Sequence, residues 1–378
     1  DVYKRQVYLN GVPVYDCRDC YVSDLKEYPL SEKVKALLKP GKNVLALHCI
    51  NPAGYSWLDV GLGRRKKITA VQNATQTAVT VTATQTQYRF RCGGIDIDLR
   101  FISPLLPDDL SLLSRPVTYL RWEAVAHDGK THQVDLYLDA DQNIARNKKI
   151  QQVNTRYGKT GVLQYSQTGT VEQPVLKTKG DDVRIDWGYL YLATAMKNPE
   201  FEKVEVGKAL LRGLLDNQRP NGEDASPGVL FQNARVGAKP VTAQLLIGYD
   251  DQYSLQYFEK NLKAWWALDG ATFLQELDKA WNDGEGILNR CTAFDASLYE
   301  AAKASGGDTY AALCTMVYRQ SVAAHKLTRS PQGSVLFLSK ENFSNGSINT
   351  VDVTYPSAPL YLVYNPTLLK GMLNGIYY

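Results

Sequence analysis

The sequence predicts a multidomain α+β protein, β-rich through its first two thirds and helical beyond Ser254. Three observations carry that prediction. The chain has 378 residues, more than one ordinary core accommodates. Up to residue 245 its apolar residues alternate at period two between turn residues, the pattern of half-buried strands. Beyond Ser254 the apolar spacing changes to three and four, the pattern of amphipathic helices. A hydrophobic content of 44% and a charged content of 22% are ordinary for globular chains and exclude disordered and collagen-like classes.

Three segments follow in order: a partial β-module over 7–62, a β-sandwich over 68–250 and a helical domain over 254–378. The opening DVYKRQ is read as a non-native tail and set aside. Tyr8 to Tyr15 reads as strand, Asn10-Gly11 turn and strand. Ser31 to Leu38 supplies a short helix, and Val44 to His48 an alternating strand after the Pro40-Gly41 turn. Thr75 to Thr86, Tyr88 to Cys92, Ile95 to Ile102, Val117 to Ala126 and His132 to Leu138 are further strands. No helical period interrupts them, so they make a large antiparallel sandwich. Residues 150–245 continue it, and Arg184 to Tyr191 is included as a strand. Within it Asp186-Trp187 reads as a buried hydrogen-bonded pair.

Helices are expected at Tyr257 to Trp266, Thr272 to Asn289, Phe294 to Ser305 and Thr309 to Thr328, with a last one over Ala358 to Tyr378. Gly306-Gly307 separates two of them. Between the last two lies a polar loop, Lys340 to Tyr355. His325 is expected to pack rather than to react.

Charge and motif content exclude several functions. The net charge of +4 is spread along the chain, and Arg64-Arg65-Lys66-Lys67 reads as a solvated linker, so no nucleic-acid surface is expected. No run of 18 apolar residues would span a membrane. No phosphate-binding glycine loop opens a helix, so no nucleotide cofactor is expected. Cys17 and Cys20 form one C-x-x-C without a second pair, which fits loop cysteines better than a metal site and leaves their bridging open. No cofactor or metal is therefore expected, and the oligomeric state stays open.

The densest polar chemistry lies in Ser339 to Leu360, SKENFSNGSINTVDVTYPSAPL. Asn345-Gly346 is a strong two-residue hairpin signal, because both central positions of such a turn need positive φ. That register sets Glu341 opposite Thr350, with Asp352 one diagonal step away on the same face. Paired carboxylates at such spacing can serve as acid and base through a water. Asp250 and Asp251, where the period changes, either cap a helix or line the same cleft.

Several stretches carry resemblances. YLNG, PGKNVLALH and the final LDVGL resemble the closing half of a galactose-binding-type jelly roll. FISPLLPDDLSLLSRPVTYL, RIDWGYLYLA, GYDDQYSLQYF, YRQSVAAHKL and SKENFSNGSINTVDVTYPSAPLYLVYNPTLLKGML resemble, in order, the glutaminase A family of secreted proteins. The resemblance implies a β-sandwich before an (α/α)6 toroid of the six-hairpin glycosidase type, here incomplete, in a fragment lacking both ends. It implies a secreted or periplasmic enzyme that hydrolyses the side-chain amide of glutamine. Asp352 and Glu341 are then the candidate base and acid, with Lys340 and Asn342 stabilising charge and Tyr355, Asp250 and Asp251 contacting substrate. The alternative is a glycoside hydrolase or carbohydrate-binding protein of the same architecture. A tyrosine-lined groove would favour sugar, and a fixed cation would favour glutamine.

Overall fold

The computed structural model describes residues 4–18, 28–50, 60–62, 72–209, 225–341 and 345–377. The chain divides into two compact units: residues 1–71 with 211–224, and residues 72–210 with 225–378. The LDVGL stretch at Leu58 to Leu62 and the Arg64 to Lys67 run fall partly and wholly, respectively, outside the described residues.

In the first unit, β1 (Lys4–Leu9), β2 (Val12–Arg18) and β3 (Leu45–Ile50) form a sheet in the order β2-β1-β3. Asn10 (φ 51) and Gly11 (φ 84) make the expected turn, since both adopt the left-handed conformation that a two-residue hairpin loop demands. Lys4 to Gln6, set aside on sequence, belong to β1 and pair with both neighbouring strands. Ser31 caps the short helix α1 (Glu32–Lys35).

The second unit holds β4 (Thr75–Val81), β5 (Gln85–Cys92), β6 (Ile95–Ile102), β7 (Val117–Ala126), β8 (His132–Asp139), β9 (Val153–Lys159) and β10 (Leu163–Thr170). There follow β11 (Tyr189–Ala195), β12 (Lys203–Lys208), β13 (Pro227–Val236) and β14 (Val241–Asp250). Eight of these make one antiparallel sheet, β4-β5-β6-β7-β14-β11-β10-β9, and β12-β13-β8 make a smaller one. Period-two alternation gives the large sheet two apolar faces. Leu120, Trp122, Leu192 and Leu245 pack on Val229, Phe231 and Val236 of the small sheet, which closes the sandwich. The opposite face presents Tyr119, Tyr191 and Leu246 to a long helix through Phe273, Leu277 and Ala280. Arg184 to Trp187, expected in a strand, precede β11 as a loop.

That helical run is α3 (Phe273–Ala323), opened by a capping box in which Thr272 and Gln275 bond each other's backbone. It is broken at Gly307, whose φ of 80° and ψ of −176° no helix adopts. The two arms fold back on each other, because Phe294 and Tyr318 meet with ring centroids 5.1 Å apart. Residues 273–306 thus form one helix where two were expected. The polar β4–β5 turn is held between the arms. Asp295 accepts hydrogen bonds from Thr82 Oγ1 (2.6 Å), Thr84 N (2.8 Å), Thr84 Oγ1 (2.9 Å) and Gln85 Nε2 (2.9 Å). Arg319 donates to the Thr82 and Gln85 carbonyls, each at 2.8 Å, and to Thr86 Oγ1 at 2.9 Å.

The helical expectation fails at both ends of α3. Residues 255–262 form the hairpin β15 (Leu255–Tyr257) and β16 (Lys260–Leu262), followed by a 3-10 turn at Trp265–Ala267. Leu255, Tyr257 and Leu262 cover Leu336 and Leu338, an alternation too short to separate from a helical period by spacing. Beyond α3 the chain enters β17 (His325–Arg329) and β18 (Val335–Ser339), then α4 (Val351–Tyr364) and α5 (Pro366–Leu373). Val351 to Tyr355, expected in the loop, form the first turns of α4. Tyr310, Leu313, Met316 and Val317 on the second arm of α3 are exposed.

Candidate functional site

β14 runs into two consecutive carboxylates, Asp250 and Asp251, and Asp251 meets the base of the β17–β18 hairpin through Lys326. Asp251 is 4% exposed. Its Oδ2 takes the Lys326 ammonium at 2.8 Å and the Ser254 hydroxyl at 2.7 Å. Its backbone carbonyl accepts the Trp187 indole N–H at 2.8 Å, and that N–H also meets the Tyr253 carbonyl at 3.1 Å. Gly188 makes this approach possible: with φ +76°, a Cβ there would lie 2.1 Å from the Asp250 carbonyl oxygen. The Gln173 amide holds Gly188 at both its N–H (2.7 Å) and its carbonyl (3.2 Å).

Lys340, half-buried at the end of β18, completes the cluster. Burial and the neighbouring Lys326 charge pull its pKa down to about 8, against the attraction of Asp251. An appreciable share of Lys340 is therefore a neutral amine near neutrality. Burial, with the Asp251 charge adding to it, raises the Asp250 carboxyl above the usual range, against the Gln252 N–H and Lys263. The site thus holds a carboxyl biased towards its protonated form, a lysine biased towards its neutral form, and a fixed ion pair. Such opposed shifts suit proton transfer at ordinary pH.

The hairpin expected at Asn345-Gly346 has a different register. Lys340 bridges Ile348, the Glu341 N–H donates to the Ser347 carbonyl, and the Asn349 N–H donates to the Ser339 carbonyl. Asn345 forms a bridge with Asp181, and its side chain accepts the Ser347 N–H at 2.8 Å. The face-to-face carboxylates do not form: Asp352 lies in the first turn of α4 and is exposed. Glu341 does meet Thr350, whose hydroxyl donates to it at 2.6 Å. Tyr355 is 80% exposed on α4, and Asn342 lies outside the described residues.

Of the expected residues, then, Asp251 and Lys340 come together, with Asp250 next to Asp251 and Glu341 next to Lys340 in the chain. Lys326 was not foreseen. Its signal, a lysine between His325 and Leu327 at strand alternation, was hidden by reading that stretch as helix. His325 packs as expected: it stacks on Phe337 at 4.5 Å, its Nδ1 meets the Ser321 carbonyl at 2.6 Å, and burial lowers its pKa. Asp186 is buried and bonded by Gln151 and Thr178, each at 2.9 Å. No cluster of three or more metal-ligating side chains occurs among the described residues. No described helix is long and apolar enough to cross a membrane.

Comparison with known proteins bears on the same regions. A family model described as "Domain of unknown function (DUF5127)" matches residues 84–301, and one described as "Glutaminase A six helical-hairpin domain" matches residues 307–378. The junction falls at the Gly307 break. The chain is 26% identical over 349 residues to "Glutaminase A" of Aspergillus oryzae, covering 87% of this chain and 49% of the relative. It is 24% identical over 326 residues to "Probable glutaminase" of Arthroderma benhamiae, covering 75% and 36% respectively. The chain spans about half, or less, of the length of these curated relatives.

Proposed function

This chain belongs to the glutaminase A family, and on that premise we propose that it is a glutaminase-like hydrolase acting at the Asp250–Asp251–Lys326–Lys340 cluster. The reaction adds water across the side-chain amide of L-glutamine and yields glutamate and ammonia. The observation that carries the reading is Lys340, an amine pulled down to about 8 beside the Lys326–Asp251 pair.

Each proposed role follows from its environment. Neutral Lys340 takes a proton from the attacking water, as a base must near its own pKa. Asp250, its carboxyl raised above the usual range by burial, is the proposed donor of a proton to the departing ammonia. Lys326, pinned by Asp251, offers fixed positive charge to the oxyanion and to a substrate carboxylate. Glu341 remains a contact to the substrate, and Asp352 takes no part. Fixed ammonium groups favour an amino acid over a neutral sugar. The protein is further proposed to act outside the cytoplasm, which the disulfide at Cys17 supports.

The test is ammonia release from glutamine by the full-length protein between pH 5 and 9, with Lys340→Met alongside. The expected wild-type rate climbs towards pH 8 and that limb disappears in the variant. Release of sugar from a glycoside with no ammonia from glutamine would replace this reading by the carbohydrate one.

A further inference from the structure

The helix-facing side of the large sheet does not end where α3 begins. Antiparallel pairing places Asn154 opposite Gly169, and Tyr189 opposite Asp250. Extending the β10–β11 register by one residue sets Gly169 beside Tyr189. Directly paired residues share a face, so Asn154, Gly169, Tyr189 and Asp250 form one row across β9, β10, β11 and β14. Arg156, Gln167, Tyr191 and Gly248 form the next row, where Phe273 closes over Tyr191 at 4.8 Å. The first row extends past that helical cover.

A depression of about 90 Å³ opens there, lined by Asn154, Arg156, Gln167, Gly169, Thr170 and Tyr189, among others. Its floor is Gly169, where a Cβ would lie 2.6 Å from the Tyr189 ring and 2.6 Å from the Gly188 carbonyl. Gln167 spends its amide N–H on the Tyr191 hydroxyl at 2.6 Å, which leaves its carbonyl for a ligand. Among the described residues none pairs with the Arg156 guanidinium. An unpaired arginine, an amide and an aromatic face around one concavity suit a planar, carboxylate-bearing ligand.

We propose that this shelf is a second subsite of the same catalytic centre, taking the C-terminal continuation of a short peptide whose glutamine side chain reacts beside Asp250. The proposal rests on the glutaminase reading. Arg156 binds the terminal carboxylate, Gln167 and Asn154 hold peptide groups, and the Tyr189 ring supports the chain between them. Length argues for a peptide over free glutamine. The row from Asp250 to Asn154 crosses three strand spacings, about 14 Å. One amino acid advances a chain by only about 3.5 Å, so roughly two to four residues fill the shelf.

Two measurements on the full-length protein test this. Ammonia release is compared for L-glutamine, Gln-Gly-Gly, and Gln-Gly-Gly with an amidated C-terminus, in wild type and Arg156→Ala. Arg156 sits exposed on an edge strand, so its removal spares the fold. The acid tripeptide is expected to be the best substrate. Amidation or Arg156→Ala is expected to raise its KM by roughly tenfold or more, the loss of one charge-assisted contact, with kcat little changed. Free glutamine is expected to be indifferent to Arg156. An unchanged KM in Arg156→Ala, or equal use of acid and amide, overturns the subsite.

Calorimetric binding of the unreactive Ala-Gly-Gly separates the two ideas. If no glutamine compound releases ammonia, yet Ala-Gly-Gly binds in an Arg156-dependent way, the chemistry falls and the peptide shelf stands. Absence of that binding, or Arg156-independent binding of a neutral oligosaccharide instead, removes the shelf.

Discussion

Two buried polar clusters tie strands to the helical half of the second unit, and they differ in how completely their charges are met. At the β4–β5 turn, Asp295 receives four donor groups and Arg319 gives three hydrogen bonds. At the end of β14, one buried carboxylate, Asp251, faces Lys326 and Lys340 together, while its neighbour Asp250 is pushed towards neutrality. The first arrangement holds two elements in register and leaves no group wanting a partner. The second shifts Lys340 towards its neutral amine and Asp250 towards its protonated carboxyl, which costs stability and suits chemistry. Buried charge alone does not single out a candidate site; incomplete compensation does.

The largest effect that could break this contrast is on rate. Lys340→Met is expected to slow ammonia release by ~10²–10⁴-fold, the usual worth of a positioned base. The same variant should be more stable than the parent. Lys340 titrates near 8 in the fold and ~10.4 unfolded, so below pH 8 the fold carries a penalty of up to roughly 3 kcal/mol, which fades as pH rises between those values. Thermal melts at pH 7 and pH 10 check this: the variant's advantage should shrink at pH 10. A melting temperature that drops at pH 7 would mean the amine is structurally satisfied after all.

Asp295→Ala should do the reverse. Stranding Thr82, Thr84 and Gln85 is expected to cost ~3–5 kcal/mol in urea unfolding, with kcat near the parent value wherever the protein remains folded. If kcat falls as steeply as in Lys340→Met, the division between structural and reactive clusters is wrong.

A smaller change sharpens the second cluster. Gly188→Ala forces a side chain at positive φ against the Asp250 carbonyl, and roughly 2–4 kcal/mol of stability should be lost. Ammonia release should fall with it, because both carboxylates hang from that peptide. The slightest effect is expected at Asp352→Asn. Exposed in the first turn of α4, this carboxylate complements the helix dipole and contributes under ~1 kcal/mol. Hydrolysis should persist, and its abolition would return Asp352 to the reaction.

Much of this was legible in the residues. Period-two alternation located β6 and β7 with their boundaries, Asn10-Gly11 its hairpin, and Gly306-Gly307 the reversal between two helices. These signals are local: each depends on the spacing of a few neighbours or on a conformation that glycine favours. Asp250, Asp251 and Lys340 stood out for the same reason, as polar groups at points where a pattern changes. The partnerships were beyond reach. Asp251 and Lys326 are far apart in sequence, and nothing near either names the other. At Asn345 the chain bridges Asp181, much earlier in sequence, and Asp352 lies in the first turn of α4; neither is announced by the local turn signal. Local sequence determined the elements and the residue types available for chemistry. Only the packing of α3 and the β17–β18 hairpin against the sheet decided which charges lost their water, and with it which of them shifted their proton affinity.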